Sequence, residues 1–308
     1  MAAGVGNLVE ATDYNSVRTT INSVFGPTTD GYGQTLDSAA VSAGNTITAA
    51  QWDNLRNDIL RCRQHQTGAT ESLTDVSSST NIQESVRSDY ATMAAACVTN
   101  RYALGAGQFS IESGISSSRA GNWNVSLSHT VTVSFANNNQ FRYFFTAAGE
   151  IRFSASRSGA ASTTKDTTWD NMFSGMGTIS MNYTATSCSG TGTTSSIGAF
   201  DLTTSDQQIF QKDAPAGAYS ENYYRVSARV DNATPTAIIF TIIFVDADTG
   251  GPASTPAPGS TPGTPPGPVV DENVTGTLTS TVAQLRASGA NVSVTGPTYA
   301  NTSALAGS

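Results

Sequence analysis

Cys62 and His65 stand three residues apart in a segment of helical pattern. At that spacing a thiolate and an imidazole share one helix face and can grip a metal ion. No second ligand pair follows, so an apolar thiol and a solvated imidazole are the expectation, with no metal and no cofactor. The other of the two histidines, His129, falls on the apolar parity of a strand pattern. A hydrogen-bonded core or subunit-contact role suits it better than catalysis, and no Ser or Cys lies in a nucleophile-elbow context. Glycoside hydrolysis needs two positioned carboxyls, for which Glu150, Glu221, Asp246 and Asp248 are available. Glu150 has polar parity, which suggests a solvent-facing role. Asp246-Ala247-Asp248 offers calcium two acids without the further oxygens that ion needs. Trp123, Trp169, Tyr219 and Tyr223 could stack on sugar rings if exposed. No residue is assigned a catalytic role, and the chain is not expected to be an enzyme.

The elements that must carry these residues begin with a repeat. Tyr14, Asn15, Val17, Arg18 and Ile21 return in the same order as Trp52, Asp53, Leu55, Arg56 and Ile59, 38 positions on. The first copy predicts a helix with Tyr14, Val17, Ile21, Val24 and Phe25 on one face, capped by Thr12 and ended by Gly26-Pro27. The second opens on the capping box Thr48 to Gln51 and buries Trp52, Leu55, Ile59 and Cys62. A third helix is expected from about Glu84 to Tyr102, with Val86, Tyr90, Met93 and Cys97 on its face. A repeated helix suggests a part that docks twice. Tyr14, Arg18, Ile21, Trp52, Arg56 and Ile59 are therefore the candidate docking residues, with simple packing after an ancestral duplication as the alternative.

After about residue 108 the pattern changes to period two. Leu127, His129, Val131 and Val133 share one parity, and so do Tyr224, Val226, Ala228 and Val230. Ile179, Met181, Tyr183 and Ala185 alternate likewise, and a short helical insert is allowed near Trp169 to Met176. Ile238 to Val245 is apolar on both parities, which calls for cover on both faces or a subunit contact. Phe240, Ile242 and Phe244 are the candidate oligomer contacts. Residues 250–268 hold seven of the eleven prolines and read as an extended linker. A tail follows, with a strand expected at Val292 and Val294, too small to fold alone. The expected fold is α+β. Residues 1–107 form a helical attachment region, 108–249 an antiparallel β-sandwich, 250–268 a linker and 269–308 a strand-forming arm.

Composition narrows the function. Charged residues make up 12% of the 308, against roughly a quarter in an ordinary domain. Ser and Thr together fill about a quarter of the chain, which suits faces that bury against other subunits. A net charge of −8 argues against a duplex-DNA binder. Three scattered cysteines without a C-x-x-C pair suggest a reducing compartment. The first residues carry no signal-peptide pattern, and no apolar run is long enough to span a membrane.

Three segments, Thr48–Ile59, Phe141–Phe153 and Gly276–Gly289, resemble virion proteins of marine tailed phages, the cyanophage structural and fibre-like proteins. The likeness extends over most of the chain. It implies a virion structural protein, made in the host cytoplasm and released from the cell by lysis. Its expected partners are sister copies, as a homotrimer, and other head, neck or tail proteins. A fibre, collar or tail-tip component fits best. A capsid decoration protein, or a carbohydrate-binding module for a host surface glycan, is the alternative.

Overall fold

Three helices occupy the first hundred residues: Ala11–Phe25 (α1), Ala49–Thr67 (α2) and Glu84–Thr99 (α3). The computed structural model describes residues 9–78, 82–159, 163–247 and 273–307. The linker expected at 250–268 and Asp248 lie outside the described residues. The N-cap of α1 is Glu10 rather than Thr12, and the Asp13 carboxylate accepts the Glu10 amide at 3.1 Å. An acid in the first turn also complements the helix dipole. The capping box of α2 forms as the sequence predicts: Thr48 Oγ1 accepts from Gln51 N, and Gln51 Oε1 accepts from Thr48 N. Gly68 ends α2 in the left-handed region at φ 73°. Gly105 lies so close that a methyl group there would meet the Gly68 nitrogen at 1.9 Å. The buried face of α3 is Tyr90, Ala94 and Cys97, whereas Val86 and Met93 stay partly open.

Asn138–Thr146 forms a short further helix (α4), which the sequence reading did not resolve. Asn137 caps it, and Phe144, Phe145 and Ala147 are fully buried there. Arg142 ties it to the turn after α1 through Thr29 O and the Asp30 carboxylate, both at 2.6 Å.

The remaining elements are Phe109–Ala120 (β1), Val125–Ser134 (β2), Glu150–Ser158 (β3), Thr164–Met176 (α5), Ile179–Met181 (β4), Thr186–Cys188 (β5), Thr193–Thr194 (β6), Gln207–Asp213 (β7), Tyr223–Val230 (β8), Ala237–Asp246 (β9), Thr277–Ala287 (β10) and Thr298–Gly307 (β11). They build an α+β fold with two antiparallel sheets, ordered β1-β10-β3-β4-β5 and β11-β2-β9-β8-β7-β6. The inner faces meet through contacts such as Phe153 on Phe240, with ring centroids 4.8 Å apart. Strand β4 stops at Met181 instead of running to Ala185. The Asn182 carboxamide oxygen accepts from Thr184 N and Ala185 N, each at 2.9 Å, and turns the chain.

The C-terminal arm folds back onto its own chain. β10 fills the place between β1 and β3, and β11 pairs antiparallel with β2. Val292 and Val294 are buried in the connection between these strands, not in a strand of their own.

Two compact units result, and neither is one continuous stretch. One comprises Met1–Ile111, Ala136–Gly149 and Leu285–Gly296; the other comprises Glu112–Phe135, Glu150–Gln284 and Pro297–Ser308. The linear partition into 1–107, 108–249 and 269–308 therefore gives way to an interleaved one.

Candidate functional site

The repeated residues come together inside the helical unit. Tyr14 meets Trp52 edge-on at 5.4 Å, and Trp52 meets Tyr90 edge-on at 5.2 Å. Tyr90 stands a further 38 positions along, so α3 continues the period that α1 and α2 begin. The third copy escapes a sequence reading because Ala94 replaces the arginine and Ala91 replaces the Asn/Asp; the aromatic and the buried position at Cys97 persist. Tyr14, Ile21, Trp52 and Ile59 are all fully buried. Arg18 Nε donates to Ser38 O at 3.0 Å, and Arg56 Nε donates to Leu73 O at 2.9 Å. Each arginine thus pins its helix to the segment that follows it. Asn15 does the same through both atoms of its carboxamide, bonded to Val41 O and Val41 N. The expected docking set is corrected accordingly: four of its members are core, and the two arginines are spent on backbone carbonyls.

Cys62 and His65 lie together in the interior, beside Cys97, Tyr32 and Gln66. Gln66 Nε2 donates to Tyr32 Oη at 3.0 Å and to Cys97 O at 2.8 Å, while the Tyr32 hydroxyl donates to Arg101 O. The His65 ring packs edge-on to Tyr32 at 4.8 Å. Neither of its nitrogens has a hydrogen-bond partner, and burial pulls its pKa down to about 4. Burial, reinforced by the neighbouring Cys97, pushes the Cys62 thiol up. These are neutral packed groups, and the expectation of a solvated His65 is corrected. Among the described residues no group of three or more His, Cys, Asp or Glu is arranged to hold a metal ion.

The helical unit also carries an open cleft of about 430 Å³. The Arg63–Glu71 ion pair, at 2.7 Å, forms one wall; Asp89, Thr92 and Met93 of α3 form the other. Its arginine is already neutralised by its acid, so the cleft offers shape and a thioether rather than a free charge.

In the sandwich, His129 bridges both sheets. Its Nε2 is 2.8 Å from Asn301 Oδ1 and its Nδ1 is 2.9 Å from Ser280 Oγ. Asn301 Nδ2 faces Ser116 O, which leaves its oxygen for the imidazole. Nε2 therefore carries the proton, and the Ser280 hydroxyl donates to Nδ1. This is the order of a nucleophile, a base and an orienting group, but Ser280 is fully buried and meets no solvent. The arrangement joins strands β2, β10 and β11.

The carboxyl candidates are scattered. Glu150 pairs with Arg152 at 2.8 Å, Glu221 is exposed, and Asp246 is fully buried against Lys165. Trp123, Trp169 and Tyr219 are buried, and half-exposed Tyr223 lies under the Arg225 guanidinium. No sugar-stacking platform is formed by these four. Phe240, Ile242 and Phe244, expected at an oligomer contact, are fully buried within a single chain, Phe240 against Phe153 of the facing sheet and Phe244 against Trp169 and Phe173 of α5. The opposite parity of β9 (Ile239, Thr241, Ile243 and Val245) is the half-buried outer one.

Comparison with protein-family models, with curated proteins and with solved structures returns no match. No described helix is long and apolar enough to cross a membrane.

Proposed function

We propose that this chain is a structural component of a tailed-phage virion, a self-associating fibre, collar or tail-tip protein. The resemblance of the three segments to marine phage virion proteins motivates the reading. The observation that carries it is the outer face of the six-stranded sheet. Ser126, Ser128, Thr130 and Thr132 of β2 lie beside Ile239, Thr241, Ile243 and Val245 of β9, register partner for register partner. All eight side chains are half-buried, and none is charged. Covering the isoleucines and valine is favourable and the hydroxyls can exchange water for hydrogen bonds to a sister copy, while Arg225 and Arg229 of β8 border the stripe on the other side of β9. A trimer is the assembly the reading expects. The helical unit is the part that meets the particle, through its outer surface rather than through the buried repeat.

The test is quantitative mass spectrometry of purified particles, with the native oligomer mass of the isolated chain measured alongside. Tens of copies per particle and a stable oligomer support the reading. Hundreds of copies assign the chain to capsid decoration instead. A freely soluble monomer missing from particles overturns both.

A further inference from the structure

Lys165 and Asp246 form an ion pair with no access to water. Nζ lies 3.0 Å from Oδ2, and both side chains are 0% exposed. Lys165 is the second residue of α5, where the helix dipole opposes a positive charge. The Tyr219 ring centroid lies 5.3 Å from Nζ. One turn along the helix, fully buried Trp169 packs on Phe244, two residues before Asp246 on the same face of β9. Burying two opposite charges beside such rings is expensive even when they touch.

The pair also has an unspent donor beside it. Asn222 is fully buried, and its Oδ1 accepts from the amide of Ala247, the residue after Asp246. Its Nδ2 has no hydrogen-bond partner among the described residues. The Ala247 contact holds the Asn222 carboxamide one residue from Asp246, where a spare buried donor is available to an oxyanion that forms at Cγ.

We infer that Lys165 and Asp246 condense into an intramolecular isopeptide bond, with Asn222 as the positioning donor. The balance needs no outside reagent. The ammonium proton passes to the carboxylate along the 3.0 Å contact. The amine nitrogen then attacks Cγ of Asp246, and the C–N bond forms. The C–OH bond breaks, and the hydroxyl leaves as water with one of the two protons left on the nitrogen, the other staying as the amide N–H. Fixed approach of the two groups replaces a bimolecular encounter, and exclusion of water suppresses the reverse hydrolysis. The product bridges positions 81 apart and ties the start of α5 to the end of β9. It does not rest on the virion reading and stands or falls separately.

The experiment is intact mass measurement of the purified full chain under reducing, denaturing conditions, followed by tryptic mapping. The expected mass is below the sequence mass by one water molecule. The map should show a branched peptide joining Lys165 to Asp246, with no cleavage after Lys165. Lys165→Arg should return the mass to its sequence value, which is readable whether or not that variant folds. Asn222→Ala should leave a larger unlinked fraction at a given time after synthesis. A wild-type chain at full sequence mass overturns the proposal. So does a missing water traced to a linear dehydrated peptide.

Discussion

At the scale of single residues, burial decides what each reactive group does. His65 shows it most directly, because neither ring nitrogen finds a partner and its pKa is held at about 4. The unfolded chain takes up a proton near the ordinary value of 6.5, and the folded chain refuses it until about 4. Stability from this group is therefore complete above pH 6.5 and is lost as pH falls toward 4. The loss is on the order of 3 kcal/mol. His129 acts in the same direction, since burial outweighs its hydrogen bond to Asn301, which raises its pKa. We predict that His65→Phe flattens the stability profile between pH 7 and pH 4.5, read as urea midpoints at several pH values. An acid-side slope equal to that of the wild type would show that His65 is not the proton sink. The i, i+3 spacing of Cys62 and His65 is legible in the sequence. What it does not reveal is that Tyr32, Gln66 and Cys97 close over them from other segments, because those contacts depend on how three helices pack.

At the scale of elements, the helical repeat is a device for holding connections. Each arginine reaches past its own helix to a carbonyl of the next segment, Ser38 for Arg18 and Leu73 for Arg56. Removing a charged donor from such a carbonyl costs roughly 1.5–3 kcal/mol. Arg18→Ala and Arg56→Ala should therefore each lower the denaturation midpoint of the isolated protein, with nearly additive effects. Unchanged midpoints in both variants would return these arginines to a docking role. The helices themselves were legible because their period, capping box and terminal glycine are local signals. The start of α1 at Glu10 was less so, since an acid at the cap is a weaker mark than the Thr12 hydroxyl. Helix α4 went unread because Phe141 to Phe145 is apolar on nearly every position and shows no period. The two-sided strand β9 was legible as buried, but which parity faces the second sheet is set by the register with β2 and β8, not by composition.

At the scale of the whole molecule, the last quarter of the chain completes both sheets. β10 lies between β1 and β3, and β11 extends the six-stranded sheet beyond β2. Leu278, Ser280 and Val282 of β10 are nearly or fully buried, and hydroxyl pairs link the strand to β1, Ser116 with Thr281 at 3.0 Å and Ser118 with Thr279 at 2.9 Å. Each large apolar side chain lost from such a site costs about 1.5–3 kcal/mol, and the backbone ladders on both sides would be lost with it. A tail expected to lace neighbouring subunits is thus an integral part of its own sandwich. The covalent path to it runs through the proline-rich residues 250–268. Placing a specific protease site among those residues separates connection from pairing. After cleavage the arm should co-elute with the body in native size exclusion and part from it only in denaturant. An arm that elutes alone in native buffer would mean that the linker, rather than the strand pairing, holds it in place.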